Sequence, residues 1–510
     1  MRKLFVAAAL TVLTGIAATT PPEIRPDALL EHIKFLASDD MKGRADGSPE
    51  LERAAEYIAQ QFKADGLKPG GDHGDWFQPF ELNAGLLIGP TNSLSFQSRG
   101  KSVTLTLGTS YYPLAATGSD KTPSVKLDKL PLVFAGYGLA VPELGYDDYK
   151  NIDVSGKAVI VFTHEPQEHD AASRLNGTRP MPQTSLNAKA QLALSKGARL
   201  LIAVSDPSHR YDEGQFSLFK SDPDADDQGF PVLRVRRTEM QPLLDAWRLD
   251  ATARLIDMDL VPRSEALTDA TVNYTESISK NRKTVRNVVG ILPGSDPARA
   301  REAIVIGAHY DHVGLGGRLS VTPDRVGEIH NGADDNASGT ASIIEMARSA
   351  VADRARFPRT LVFVAFAGEE RGLLGSAYYA SHAAFPIDNT IAMLNLDMVG
   401  RARGGVDVSG LDVSPSMEAD LKAAATAAGG GLQIKREGPG AGRSDDSNFL
   451  DHRIPAINFF TGFHADYHRP SDDWEKIDAP GTKRVATLAL ELAARLAERA
   501  SRPEFVGSQR

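Results

Sequence analysis

An apolar run, Ala303–Ile306, ends in Gly307-Ala308-His309-Tyr310-Asp311-His312, so a strand leads directly into His-x-Asp. Side chains two apart on an extended backbone point the same way. Asp311 is therefore placed to accept the spare ring N–H of His309 and orient it as a metal ligand, although His-x-Asp also serves as a purely structural pair. The stretch Asn331-Gly332-Ala333-Asp334-Asp335-Asn336-Ala337-Ser338-Gly339 precedes an apolar helix. A helix cap accounts for Asp335 or Asn336. A carboxylate can also bridge two cations through its two oxygens, and Asp334 is the candidate for that role. Leu361–Ala365 runs into Phe366-Ala367-Gly368-Glu369-Glu370-Arg371-Gly372. Two glutamates closing a buried strand are costly unless something positive receives them. Successive side chains diverge, so one glutamate can ligate a metal while the other faces a water as general base; a solvated pair is the simpler alternative. Ile391–Leu394 leads to Asn395-Leu396-Asp397, where a turn-forming aspartate is the plain reading. After Ala456–Phe460 comes Phe463-His464-Ala465-Asp466-Tyr467-His468-Arg469-Pro470-Ser471-Asp472. Either Asp466 or Asp472 is near enough in sequence to orient His468, and His464 has no role in this reading.

Each signal is modest alone, but the ligand count closes when they are combined. If Asp334 bridges, one metal receives His309, Asp334 and Asp397, and the other receives Asp334, Glu370 and His468. Each ion then has three protein ligands and an open position, the pattern of a catalytic rather than a structural zinc. Spacing alone does not show which ligands pair on which metal. The chain has no cysteine, which excludes disulfides, thiolate nucleophiles and thiolate ligands. Ligation by nitrogen and oxygen suits zinc best, with manganese or cobalt as alternatives.

The elements that position these residues form the C-terminal part of the chain. From about Val285 onward, the near-continuous apolar runs named above alternate with helices, notably Ser338–Val351 and Pro480–Arg499, whose Val485, Leu488, Leu492 and Leu496 share a face. Such alternation predicts an α/β fold, with a central, mostly parallel sheet covered by helices on both faces. In such sheets the working residues gather beyond the strand ends. Two helices are expected between Pro26 and Leu67, with Ser48 capping the second and Gly66 stopping it. Between them and the C-terminal region, about Leu86 to Ile278, lies a β-rich stretch with short strands such as Ser102–Leu107, Leu132–Phe134 and Ala158–Phe162, one helix at Leu186–Lys196, and an exposed loop over Asp206–Asp227.

The series Ala308-His309-x-Asp311, Gly332-Ala333-Asp334-Asp335-Asn336-Ala337-Ser338-Gly339, Gly368-Glu369-Glu370, Leu396-Asp397-Met398 and Tyr467-His468-x-Pro470-x-Asp472 resembles the di-zinc aminopeptidase family. That family includes bacterial leucyl aminopeptidases and, more distantly, glutamate carboxypeptidase and the transferrin receptor. The match spans most of Val285–Leu496, in order. The resemblance implies that His309 and Asp397 bind one zinc, Glu370 and His468 the other, and Asp334 both. Glu369 would be the general base, taking the proton of a water held between the metals to give the attacking hydroxide, and the Asp334–Asp335 peptide would be cis. The chain departs from many relatives at Ser444-Asp445-Asp446, where they have Ser-Asp-His, which bears on the pocket's polarity. The β-rich middle resembles, more loosely, the protease-associated domain that some members carry as an insertion. The expected domains are a signal peptide over 1–18, an N-terminal part of the catalytic domain over 22–85, a β-rich region over 86–280 with the insertion at about 130–262, and the peptidase domain over 283–500.

The expected function is therefore a zinc-dependent exopeptidase, an aminopeptidase, acting on peptide substrates with two zinc ions per chain. A carboxypeptidase or glutaminyl cyclase on the same scaffold is an alternative, with Arg443 and Arg401 as candidates for a substrate carboxylate, and an inactive binding protein is another. Arg2-Lys3, the apolar Leu4–Ile16 and the small Ala17-Ala18 read as an export signal, which predicts a periplasmic or secreted protein with no stable membrane insertion after cleavage. The apolar stretch is shorter than the ~20 residues that span a bilayer. A net charge of -9 and the lack of a basic run argue against nucleic acid as a partner. The β-rich middle is open to two roles, covering the active site or forming a homodimer.

Overall fold

The structure is a computed structural model and describes residues 23–114, 125–179, 181–207, 230–317, 319–322, 325–383, 385–436 and 444–507. The segment expected to be an export signal and Arg443 lie outside the described residues, as does most of the expected Asp206–Asp227 loop. The chain divides into two compact units, one formed by the segments up to Phe80 and from Val285 onward, the other by Glu81–Thr284.

Seven strands are the frame of the first unit: β1 (Ile278–Leu292, which enters this unit at Val285), β2 (Ala303–His309), β3 (Thr360–Phe366), β4 (Thr390–Leu396), β5 (Gly405–Ser409), β6 (Gln433–Arg436) and β7 (Ala456–Phe460). They lie in the order β1-β3-β2-β4-β7-β5-β6, with Lys68–Pro69 pairing along β1. The central strands β3, β2, β4 and β7 are parallel. β1 runs antiparallel to β3, and β5 antiparallel to β7. The sheet is thus mixed and mostly parallel. Every residue of β2, β3 and β4 is buried, which explains why these strands read as unbroken apolar runs rather than alternating ones.

The helices of this unit are α1 (Pro26–Leu36), α2 (Pro49–Asp65), α3 (Gly339–Ala352), α4 (Leu374–His382), α5 (Met417–Ala427), α6 (Asp446–Asp451) and α7 (Ala479–Glu498). Ser48 Oγ accepts the Leu51 N–H at the start of α2, and Gly66 ends that helix with φ 96. On one face of the sheet, Val305, Val364, Phe366 and Met393 pack with Tyr379 of α4 and with Phe449 and Leu450 of α6. α3 and α7 cover β2 and β4 from the other side, and α7 buries Val485, Leu488, Leu492 and Leu496 there. Each such side chain contributes about 1.5–3 kcal/mol by leaving water, so the sheet is a rigid base for the loops beyond it. Register sets the level of those loops: His309 lies beside Phe366, and Gly307 beside Asn395. Strands β2, β3 and β4 therefore release their chains at one edge, where side chains can converge.

The Glu81–Thr284 unit has its own eight-stranded sheet, in the order Lys101–Leu105, Ser93–Ser98, Glu265–Glu276, Val125–Phe134, Ala158–Phe162, Leu200–Val204, Val232–Val235 and Tyr111–Pro113. Besides Leu186–Ser195 it holds two helices that the sequence reading passed over, Arg237–Ala246 and Leu249–Asp259. The first contains Pro242, and an internal proline removes the helical signal because it cannot donate its backbone N–H.

Candidate metal centre

His309, the last residue of β2, carries its ring into a space closed by the loops after β3, β4 and β7. Its Nε2 lies 3.3 Å from Asp335 Oδ1 and 3.3 Å from Asp397 Oδ1. The other oxygen, Asp335 Oδ2, lies 3.1 Å from His468 Nε2, which is also 3.0 Å from Glu370 Oε2. Two donor groups result, His309–Asp335–Asp397 and His312–Asp335–Glu370–His468, with Asp335 common to both. Bonds of about 2.0–2.1 Å to a tetrahedral zinc hold its ligands about 3.3 Å apart, which the observed spacings approach. Both imidazoles present Nε2 to the carboxylates because Nδ1 is turned to a backbone carbonyl, Asp311 O at 3.2 Å for His309 and Leu319 O at 2.6 Å for His468. The donor set thus fits a pair of divalent cations held by nitrogen and oxygen.

The structure corrects the expected bridging residue. Asp334 is turned away from both donor groups: its Oδ1 accepts Gly400 N–H at 2.6 Å and Ser338 Oγ–H at 3.1 Å, and its Oδ2 lies 3.1 Å from His464 Nε2. His464, which had no role in the sequence reading, is thus Asp334's partner. The cis peptide joins Asp335 to Asn336, one residue later than expected. The cause is local backbone. Asp335 (φ -105, ψ 95) and Asn336 (φ -131, ψ 47) are not helical, so the helix does not begin where the acidic pair suggests. Asn336 Oδ1 instead accepts Gly339 N–H at 2.9 Å at the start of α3, and its amide donates to Leu396 O.

A set of buried charges holds this geometry. Asp311 sits behind His309, 3.6 Å from Nδ1, and its two oxygens accept the backbone N–H groups of Glu369 and Glu370, each at 3.2 Å. One carboxylate therefore fixes the metal-facing ring and the glutamate pair together. Asp472 does not orient His468, and neither does Asp466. Asp472 Oδ2 accepts the N–H groups of Asp334 and Asp335 at 2.9 and 3.1 Å, while its Oδ1 accepts Arg401 at 2.7 Å. Asp466 pairs with Lys476 and Arg401. From the segment before α2, the fully buried Arg44 donates to Tyr310 O at 2.9 Å, Asn331 O at 2.8 Å and Gly332 O at 3.0 Å. It ties the loop after β2 to the loop bearing Asp335.

Electrostatics separate the two glutamates. Glu369 lies 3.9 Å from His309 Nε2 and outside both donor groups. Burial pushes its carboxyl well above the usual range, and the charges of Glu370, Asp397 and Asp445 add to this against His309. Glu370, despite burial and the nearby Asp335, is held at about 2 by His468 and His312. Burial would lower His468, but Glu370 and Asp335 raise it to about 11, and Glu369 and Asp397 likewise raise the buried His309. Protons and metal ions compete for those same nitrogens. A raised Glu369 is suited to taking up a proton. At the departure Ser444-Asp445-Asp446, Asp446 Oδ1 accepts Ser444 N–H at 3.3 Å, so this carboxylate turns back on its own loop, while burial pushes Asp445 up to about 7.

Sequence reasoning missed Asp335 as the shared residue and His312 as a member of the cluster. His312 stands three residues after His309, and on a continuing strand the two would face opposite ways. The chain instead leaves the sheet after His309, which brings both rings to one side.

Residues 287–493 match Peptidase family M28. Among curated proteins the chain is 26% identical over 257 residues to aminopeptidase YwaD of Bacillus subtilis, covering 48% of this chain and 52% of that one. The chain spans about half or less of the length of the first curated relatives it matches. Among solved structures, an aminopeptidase from Aneurinibacillus sp. strain AM-1 superposes with a TM-score of 0.57 at 24% identity, over 95% of this chain and 96% of that one. BSAP, a zinc aminopeptidase from Bacillus subtilis, superposes with a TM-score of 0.52 at 20% identity, over 96% and 100%. These two likenesses establish the fold.

Proposed function

We propose that this chain, whose residues 287–493 belong to peptidase family M28, is a zinc-dependent exopeptidase that removes N-terminal residues from peptides. The observation that carries the reading is Asp335, whose two oxygens face two separate sets of ligands. His309, Asp335 and Asp397 would hold one ion, and Asp335, Glu370 and His468 the other. Zinc bound there supplies Lewis acidity and makes water acidic enough to attack near neutral pH. Glu369 takes the proton of the attacking water and returns it to the departing amine, and Asp311 keeps Glu369 and His309 in register for this.

The pocket beside the centre, about 90 Å³, has one wall of Met398, Phe460, Phe463 and Tyr467 and another of Ser409, Ser444 and Asn458, next to Asp397 and Glu369. Rings continue from Phe460 to Phe463 (5.0 Å between centroids), to Tyr467 (4.9 Å) and to His468 (4.0 Å). This wall favours an apolar N-terminal side chain. A carboxypeptidase would need a free cation for the substrate carboxylate. Arg401, the one of the two candidate arginines that lies among the described residues, is only 5% exposed, with its guanidinium already on Asp472 and Asp466. We read the chain as exported on its N-terminal signal, and the stretch at about 130–262 within the Glu81–Thr284 unit as a protease-associated-like insertion.

Turnover of aminoacyl substrates and N-blocked peptides, with and without a chelator, tests the reading. Cleavage restricted to free N-termini and abolished by chelation is expected. Cleavage of blocked peptides from their C-termini, or activity indifferent to chelation, would overturn it.

A further inference from the structure

We infer that His312 is a positioning residue for Glu370, holding that carboxylate so that a single oxygen is presented to the second ion; this rests on the two-ion reading above. The two oxygens of Glu370 are divided. Oε2 lies 3.0 Å from His468 Nε2, on the donor side, and Oε1 lies 2.8 Å from His312 Nδ1. The His312 ring is buried, 1% exposed, and among the described residues its Nε2 has no hydrogen-bond partner. A carboxylate oxygen accepts, so the ring carries a proton on Nδ1 and donates it to Glu370. A ligating carboxylate is characteristically held by such an outer hydrogen bond.

The surrounding loops are shaped to fix this ring. Its backbone N–H donates to Arg44 O at 3.2 Å, and the ring meets His468 edge-on, with centroids 5.4 Å apart at 87°. Gly332, at φ +59, closes over the imidazole. A Cβ there would stand 2.5 Å from ring Cγ and Cδ2 and 2.2 Å from Asp335 O. The glycine before the shared aspartate thus lets one loop carry a metal ligand and also pack on the ring that steers another.

The test compares wild type, His312→Ala and His312→Asn, each stripped of metal and reloaded with zinc against a chromogenic chelator. The asparagine places an amide N–H near the position of Nδ1. In His312→Ala one of the two zinc affinities should fall by about 10–100-fold, the other changing by less than about threefold, and His312→Asn should recover most of the loss. Thermal unfolding of the metal-free variants, expected to match wild type, checks that the fold persists. Cobalt-loaded wild type and His312→Ala should show visible bands of equal intensity at saturation. A rise in intensity, reporting a lost ligand, would make His312 a direct ligand and overturn the positioning role. Unchanged zinc affinities in His312→Ala, or no recovery with asparagine, would also overturn it. A wild type that takes up fewer than two zinc ions would instead overturn the two-ion reading itself.

Discussion

Replacing Asp335 by asparagine removes the charge that faces both imidazoles. Oδ1 lies 3.3 Å from His309 Nε2 and Oδ2 lies 3.1 Å from His468 Nε2, so one substitution touches both donor groups. Removing one partner from a buried charged set costs about 3–5 kcal/mol, which at about 1.4 kcal/mol per decade weakens each ion's binding about 10²–10⁴-fold. The neighbouring change Asp334→Asn is the control. Asp334 spends its oxygens on Gly400 N–H, Ser338 Oγ–H and His464. An amide keeps one acceptor, so stability should fall by about 1–3 kcal/mol with both ions retained. Equilibrium dialysis with elemental analysis measures the ions, and thermal unfolding measures the stability. If Asp334→Asn sheds both ions while Asp335→Asn keeps them, the assignment of the shared carboxylate is refuted.

Glu369→Gln should retain both ions yet lose about 10²–10⁴ in turnover; wild-type kcat in a fully loaded variant would remove Glu369 as the base. Arg401→Met breaks the buried pair with Asp472, 2.7 Å apart, and should destabilise the fold by about 3–5 kcal/mol in denaturant melts, whereas an unchanged midpoint would show the pair to be inert. Glu345 provides a pH test. Burial alone would raise its carboxyl, but His32, 3.7 Å away, and Arg348, which hydrogen-bonds both its oxygens, win and hold it at about 2 against an ordinary 4.5. Because the folded value is the lower one, its contribution to stability is full above about 4.5 and fades as pH falls toward about 2. Glu345→Gln should flatten stability against pH across that window in acid-unfolding curves, and an unaltered slope would count against it.

Much of the unit that runs from Val285 onward was legible because its signals are local and repetitive. Strands buried on both faces must be continuously apolar, so β2, β3, β4 and β7 stood out. The cap at Ser48 and the apolar stripe of α7 follow from helical geometry in the same way. The positions of His309, Glu370, Asp397 and His468 after separate strands followed from the rule that parallel sheets gather their working residues at one edge, and the structure brings these four side chains together. Periodicity had no purchase on the Glu81–Thr284 helix that contains Pro242.

What the sequence determined by itself, then, was the frame and the kind of chemistry. No cysteine is available, so metal ligands had to be imidazole and carboxylate, and apolar runs placed them at strand ends. Only the tertiary structure decided which of two adjacent aspartates faces the donor sites. Side-chain direction can be counted along a strand or helix because the backbone repeats. At Asp335 and Asn336 it does not repeat, and contacts remote in sequence set the direction instead. Asp472 receives the Asp334 and Asp335 amides, Arg44 holds the Asn331–Gly332 carbonyls, and Gly400 and His464 draw Asp334 aside.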